Sequence, residues 1–157
     1  MPVLVMGFVN FKKYNDMKKK MQEDIIHALD MIKKVDMLDK NGKLPNEYKG
    51  YISSYGAAVG QSGLLPATMF YSEKGSSDKT KKMRCRLMQA IYAVLKKEEP
   101  STNEHILLDY AKLNYDNMSE AQNILNAAIA LKMAMRAYAS DTTTASQNII
   151  AESQNPL

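Results

Sequence analysis

Between residues 17 and 38 the apolar side chains Met17, Met21, Ile25, Ala28, Ile32 and Val35 recur at three- and four-residue steps, and the lysines and acids between them fall mostly elsewhere. That spacing predicts one long amphipathic helix. Asn15 or Asp16 is placed to cap its start, and Asn41-Gly42 offers the left-handed backbone that ends it. Pro45 suits the first turn of a second helix, where its missing N–H costs nothing, and Tyr48, Ile52, Tyr55 and Val59 form that helix's buried stripe. A small-residue turn at 60–63 leads into a third helix over 64–74, with Leu65, Met69 and Phe70 expected to point inward and Gly75 to stop it. Ser77 or Asp78 caps a fourth helix through Lys97, and Pro100 breaks the chain. Capping boxes at 101–104 and 119–122 open two more helices. Ile106, Leu107, Tyr110 and Leu113 line one of these, and Ala121, Ile124, Leu125, Ala128, Leu131, Met135 and Tyr138 the other.

These segments predict an all-α fold, a compact bundle of five to six helices. After Ala139 the chain turns polar and aperiodic, a segment that cannot bury enough apolar surface to offset its ordering entropy, so residues 140–157 are expected to form a flexible C-terminal tail. Composition agrees with one helical domain: 157 residues are 45% hydrophobic, with only 7 Gly and 5 Pro, few breakers for a chain of that length. The apolar run at 1–11 lacks a basic leader and a small-residue cleavage site and is too short to span a bilayer, so neither a signal peptide nor an anchor is expected. A cytoplasmic location is the simple reading. Cys85 is the single cysteine, which leaves no intrachain disulfide to demand an oxidising compartment.

Charge sharpens the picture. The net charge is +4, yet the tail contains only Asp141 and Glu152, so residues 1–139 hold all 21 basic side chains and all but two of the 17 acidic ones. Lys79, Lys81, Lys82, Arg84 and Arg86 crowd the start of the fourth helix, where positive charge opposes the helix dipole. A phosphate-rich partner accounts for that choice, because each cation brought to a phosphate releases counterions. Lys82 and Arg86, at i and i+4, share a face, and Lys132 and Arg136 repeat the spacing on the last helix. Lys49 and Lys74 flank the segment between these groups.

Catalysis finds no comparable support. His27 and His105 stand alone and read as structural or exposed histidines. Ser53-Ser54 and Ser76-Ser77 lack a nucleophile elbow, and 56–63 lacks the Lys-Ser/Thr of a phosphate loop. The pairs Asp24/Asp30 and Glu98/Glu99 read as solvated helix surface, Cys85 as a packed thiol, and Met17, Met21, Met83 and Met135 as core. The expectation is no enzyme, no cofactor, no metal, no membrane partner and no small-molecule substrate.

Residues 51–75, YISSYGAAVGQSGLLPATMFYSEKG, combine an apolar helix, a polar-Gly-Leu turn and a helix ending at Phe70-Tyr71 shortly before Lys74. With the basic start of the fourth helix and the closing Leu131-Lys132 to Arg136 and Ala139 pattern, this resembles the small helical subunit of the type III-B (Cmr) CRISPR RNA-guided effector complex over residues 17–139. The resemblance implies a non-catalytic structural subunit that stacks in several copies and contacts the guide and target RNA backbone. It also implies other subunits of the effector complex as partners. Nucleic-acid contacts are then expected at Lys82, Arg86, Lys132, Arg136, Lys81, Arg84, Lys74 and Lys49. Without it, a solvated helix face is the simpler account of the basic clusters, and a stand-alone DNA-binding domain or a protein-binding adaptor are the rivals. Residues 1–16 lie outside the resemblance and read equally as an extension, a partner-binding arm or a start-site artefact.

Overall fold

A computed structural model describes residues 2–73 and 79–140, with side chains from Gly7 onward. Six helices occupy the described residues: α1 (Pro2–Lys34), α2 (Glu47–Ser62), α3 (Leu64–Tyr71), α4 (Lys79–Lys96), α5 (Ile106–Asn114) and α6 (Met118–Met135). The expected all-α bundle is what forms; the tail beyond Ser140 and the predicted cap at Ser77 or Asp78 lie outside the described residues.

Helix α4 is central. Met83, Leu87, Met88, Ala90, Ile91, Ala93 and Val94 are buried around most of its circumference, and it packs against all five other helices. The stripe Tyr48, Ile52, Tyr55 and Val59 is buried as its spacing predicts. In α6 the small residues Ala127, Ala128, Ala130 and Ala134 are buried beside Ile124, Leu131 and Met135, which lets α1 and α4 approach closely. Tyr138 then donates its hydroxyl to the Leu29 carbonyl at 2.8 Å, fastening the end of α6 to α1.

Several helix ends differ from the sequence expectation. Helix α1 runs unbroken through Asn15 and Asp16, so neither is a cap. It stops at Lys34, earlier than Asn41-Gly42, because Asp36 takes a left-handed φ of 59°. The Met37 N–H bonds to the Ile32 carbonyl at 3.2 Å and the Asp36 N–H to the Lys33 carbonyl at 3.2 Å, the paired bonds that close a helix around a left-handed residue. Lys97, with φ 54°, closes α4 in the same way through Glu98 N–H to Ala93 O at 3.1 Å. At α6 the cap is Asn117, whose side-chain oxygen accepts from the Ser119 and Glu120 N–H groups at 3.1 and 3.2 Å. Before α5, Ser101 accepts from the Asn103 N–H and Asn103 from the His105 N–H; two local turns replace the expected capping box, and the helix begins only at Ile106.

Helix faces differ too. In α3 it is Leu64, Ala67, Thr68 and Tyr71 that are buried, while Met69 and Phe70 are exposed. Thr68 turns inward because its hydroxyl donates to Leu64 O at 2.7 Å and lies 2.9 Å from the Tyr55 hydroxyl, and a satisfied polar atom is cheap to bury. Leu113 and Met17 are exposed. Asp24, read from the sequence as surface, is buried and faces Lys97 Nζ at 3.8 Å. His27 is structural, its Nε2 lying 3.1 Å from the Glu98 carbonyl oxygen.

Candidate nucleic-acid interface

The five basic residues that crowd the start of α4 do not form one patch. A helical step of about 100° per residue separates them: Lys79, Lys82 and Arg86 share one side, and Lys81 and Arg84 turn to the other. On that second side Lys81 pairs with Glu73 at 3.7 Å. The Arg84 guanidinium carbon lies 4.6 Å from the Phe70 ring centre and 5.3–5.4 Å from those of Tyr71 and Tyr51. Its Nε is buried and makes no hydrogen bond among the described residues. Arg84 is therefore committed to packing α3 against α4 through cation–π contacts.

On the first side, Lys82 and Arg86 form a ridge between two open clefts. One cleft, about 410 Å³, is also lined by Lys79, Tyr48, Asp36 and Asp39; the other, about 460 Å³, by Lys34, Cys85, Gln89, Ser101 and Glu104. The cationic character is partly offset. Arg86 reaches the Asp36 carboxylate at 3.3 Å. Asp39 is occupied with the backbone N–H groups of Asn41 and Lys43 at 2.8 and 2.9 Å. Lys34 is paired with Asp30 and Glu99 at 2.9 and 2.7 Å, and its hydrogen bonds to Glu99 and then Asp30 raise its pKa. The Tyr48 hydroxyl is buried beside Arg86; burial pushes its pKa up, and the Arg86 guanidinium opposes the shift. Helix α4 has no acidic residue in its first turn, so its N-terminal dipole adds to the positive field here.

Lys132 is exposed and lines a separate, apolar groove between α2 and α6, about 290 Å³, that shares no residue with the two clefts. Arg136 is exposed at the C-cap of the same helix. Lys49, half-buried, bonds to the Ser140 hydroxyl. Lys74 lies outside the described residues. Of the eight expected contacts, the fold thus brings Lys82 and Arg86 together, sets Lys132 and Arg136 on another surface, and engages Lys81, Arg84 and Lys49 in packing or pairing. Sequence reasoning missed the contributions of Tyr48 and Gln89, because the α1–α2 and α4–α5 connections fold over the α4 ridge and no local pattern announces that.

Cys85 is buried, and burial followed by the charge of Glu104 pushes its thiol pKa up despite the flanking arginines. Among the described residues no group of three or more His, Cys, Asp or Glu gathers in metal-binding fashion, and no helix is long and apolar enough to cross a membrane.

A family model described as CRISPR-associated protein (Cas_Cmr5) matches residues 12–144. This span takes in α1 from Lys12 and every later helix. No curated protein and no solved structure shows a match.

Proposed function

The chain belongs to the Cas_Cmr5 family of CRISPR-associated proteins, the small subunit of the type III-B (Cmr) effector complex, and from that premise we propose that it acts without catalysis, as a multi-copy scaffold touching the RNA backbone. Several copies stack along the complex, and guide and target RNA run past their basic faces. Specificity comes from base pairing, and the protein contributes backbone contacts of modest individual strength that multiply along the array.

The observation that carries the RNA contact is the Lys79, Lys82, Arg86 side of α4. Three cations share one face at a helix N-terminus, beside open clefts, with no acidic residue in that first turn. Such a ridge suits the sugar-phosphate backbone, with the Arg86 fork available for two phosphate oxygens once it leaves Asp36. Lys132 and Arg136 form a second, smaller contact in the same reading. Lys49, Lys81 and Arg84 supply charge without direct phosphate contacts, since Lys49 is engaged by Ser140, Lys81 by Glu73 and Arg84 by three aromatic rings.

The test is co-expression with the other Cmr subunits, native mass spectrometry with and without ribonuclease, and RNA affinity measured across a salt series. An RNA-containing particle with several copies of this chain is expected. Lys82→Glu/Arg86→Glu should flatten the dependence of log affinity on log salt by roughly 0.7–0.9 for each phosphate no longer neutralised. Asp36→Asn, which frees Arg86, should tighten binding. Assembly with a single copy, or unchanged salt dependence in the charge-reversed particle, overturns the reading.

A further inference from the structure

Helix α1 continues far past the bundle. Every described side chain from Gly7 to Lys20 is exposed, and Met21 is the first to touch the core. The stretch 2–20 is therefore an arm of about 28 Å. Phe8, Phe11, Tyr14 and Met17, exposed by 75%, 64%, 54% and 63%, stand three residues apart. At about 100° per residue each three-residue step turns 60° back round the helix, so the four make a strip that crosses the arm, from Phe8 and Phe11 on its outer side to Met17 on the opposite one. Phe8 and Phe11 share their face with Ile26, itself 68% exposed, and lie across the helix from the core residues Ala28, Met31 and Val35. The chain's own bundle cannot cover them, because the helix is unbroken from Pro2 to Lys34.

A second exposed apolar group sits at the end of the bundle from which the arm leaves. Around the α5–α6 turn, Leu113, Tyr115 and Met118 are 82%, 63% and 87% exposed. The arm's root lies close by: Lys97 Nζ is 3.3 Å from Glu23 at the root, and the adjoining Lys96 Nζ is 4.2 Å from the ring centre of Tyr110, whose hydroxyl donates to Glu120 at the start of α6. More than half of the large apolar side chains exposed among the described residues thus fall at one end of the molecule. The two groups also differ in charge. The arm carries Lys12, Lys13, Lys18, Lys19 and Lys20 against Asp16, and the turn carries Asp109 and Asp116 against Lys112.

We propose that a second copy of this chain covers this end, the two arms crossing about a two-fold axis so that each apolar strip packs on the other copy's arm root and α5–α6 corner. Self-complementarity selects this partner: the basic, aromatic arm and the acidic, apolar corner are on the same chain yet cannot meet within it. A two-fold axis satisfies both copies at once and closes the contact. The area suffices. Seven large apolar side chains, each more than half exposed, offer roughly 700 Å² per copy, close to the share of a standard stable interface. This contact is independent of RNA binding and of stacking within the effector complex.

The test uses the full chain alone, free of nucleic acid, in sedimentation equilibrium over a wide concentration range. A monomer–dimer equilibrium is expected. Phe8→Ser/Phe11→Ser in the arm, and separately Leu113→Asp/Met118→Asp in the corner, should each raise the dissociation constant by roughly a hundredfold. All four side chains are exposed, so an unchanged denaturation midpoint for the dilute variants checks that the bundle is intact. Phe11→Cys/Tyr115→Cys, oxidised, should give covalent dimers and no longer ladder, since Cys85 is buried. A monomer at every concentration, variants that associate like the parent, or a ladder extending past the dimer would each overturn the proposal. So would association that appears only when RNA is added, which would assign the arm to nucleic acid instead.

Discussion

At the scale of single residues, buried tyrosines set the chain's response to alkali. Tyr55 is fully buried, 5.3 Å centre to centre from Tyr71 in an edge-on contact, and its hydroxyl meets Thr68. Burial pushes its pKa from 10.0 up to about 12, and the Thr68 hydrogen bond opposes the shift only in part. The sign follows from linkage. Below pH 10 the phenol is neutral in both folded and unfolded chains, so the preference for the neutral form is fully present. As pH rises toward 12, the unfolded phenol ionises first and draws the equilibrium toward unfolding. Tyr55→Phe removes that pull, and the Thr68 hydroxyl keeps its bond to the Leu64 carbonyl. The variant should therefore lose less stability than the parent between pH 10 and pH 12, by on the order of 2 kcal/mol at the upper end. Urea titrations across that range decide it; parallel losses in the two chains would mean that the hydroxyl is hydrated in the fold. Asp36 shows a different residue-scale device, a charged side chain in a left-handed position that also holds Arg86.

Among the elements, the start of α6 discriminates between two capping schemes. The sequence signature at 119–122 nominates Ser119, whereas the Asn117 side chain accepts the N–H groups of both Ser119 and Glu120. Asn117→Ala should cost about 1 kcal/mol, as the loss of an N-cap does, and Ser119→Ala only a few tenths. Chemical denaturation of the two variants measures this, and a larger loss at Ser119 would restore the capping box. The same contrast explains what was legible in the sequence. Long apolar periods such as Tyr48 to Val59 and Ile124 to Met135 gave element and buried face together, because burial along them is set by helical geometry. Short or crowded segments misled. In α3, hydrophobicity nominated Met69 and Phe70, but a hydrogen bond between Tyr55 and Thr68 decided which face turned inward. The ends of α1 and α4 carried no glycine, so the left-handed Asp36 and Lys97 had no sequence mark. Asp24 looked like surface because its counter-charge, Lys97, lies at the far end of α4. The pair Lys82 and Arg86 was readable from its spacing alone, whereas the clefts beside it come from connections distant in sequence.

For the molecule as a whole, the division between bundle and arm makes stability and association separable. The core begins at Met21 and Ile25, and the contacts seen within the arm itself are local, such as Lys18 Nζ at 4.4 Å from the Tyr14 ring. An isolated helical segment of this length is marginal in water, so the arm is held helical chiefly by growth from the packed half of α1. Among the described side chains of residues 1–16, all are exposed, so removing them uncovers little of the bundle. A chain beginning at Met17 should keep the parent's denaturation midpoint and the same slope with denaturant at low concentration, since that slope scales with the surface exposed on unfolding. At high concentration the two should diverge. A parent that dimerises gains stability by mass action and its midpoint climbs with concentration, while the shortened chain stays where it was. Thermal or urea melts of both chains at matched low and high concentrations test the two halves of this argument separately. A lower midpoint for the shortened chain in dilute solution would show that the arm belongs to the fold; equal midpoints at every concentration would show that it covers nothing in a second copy.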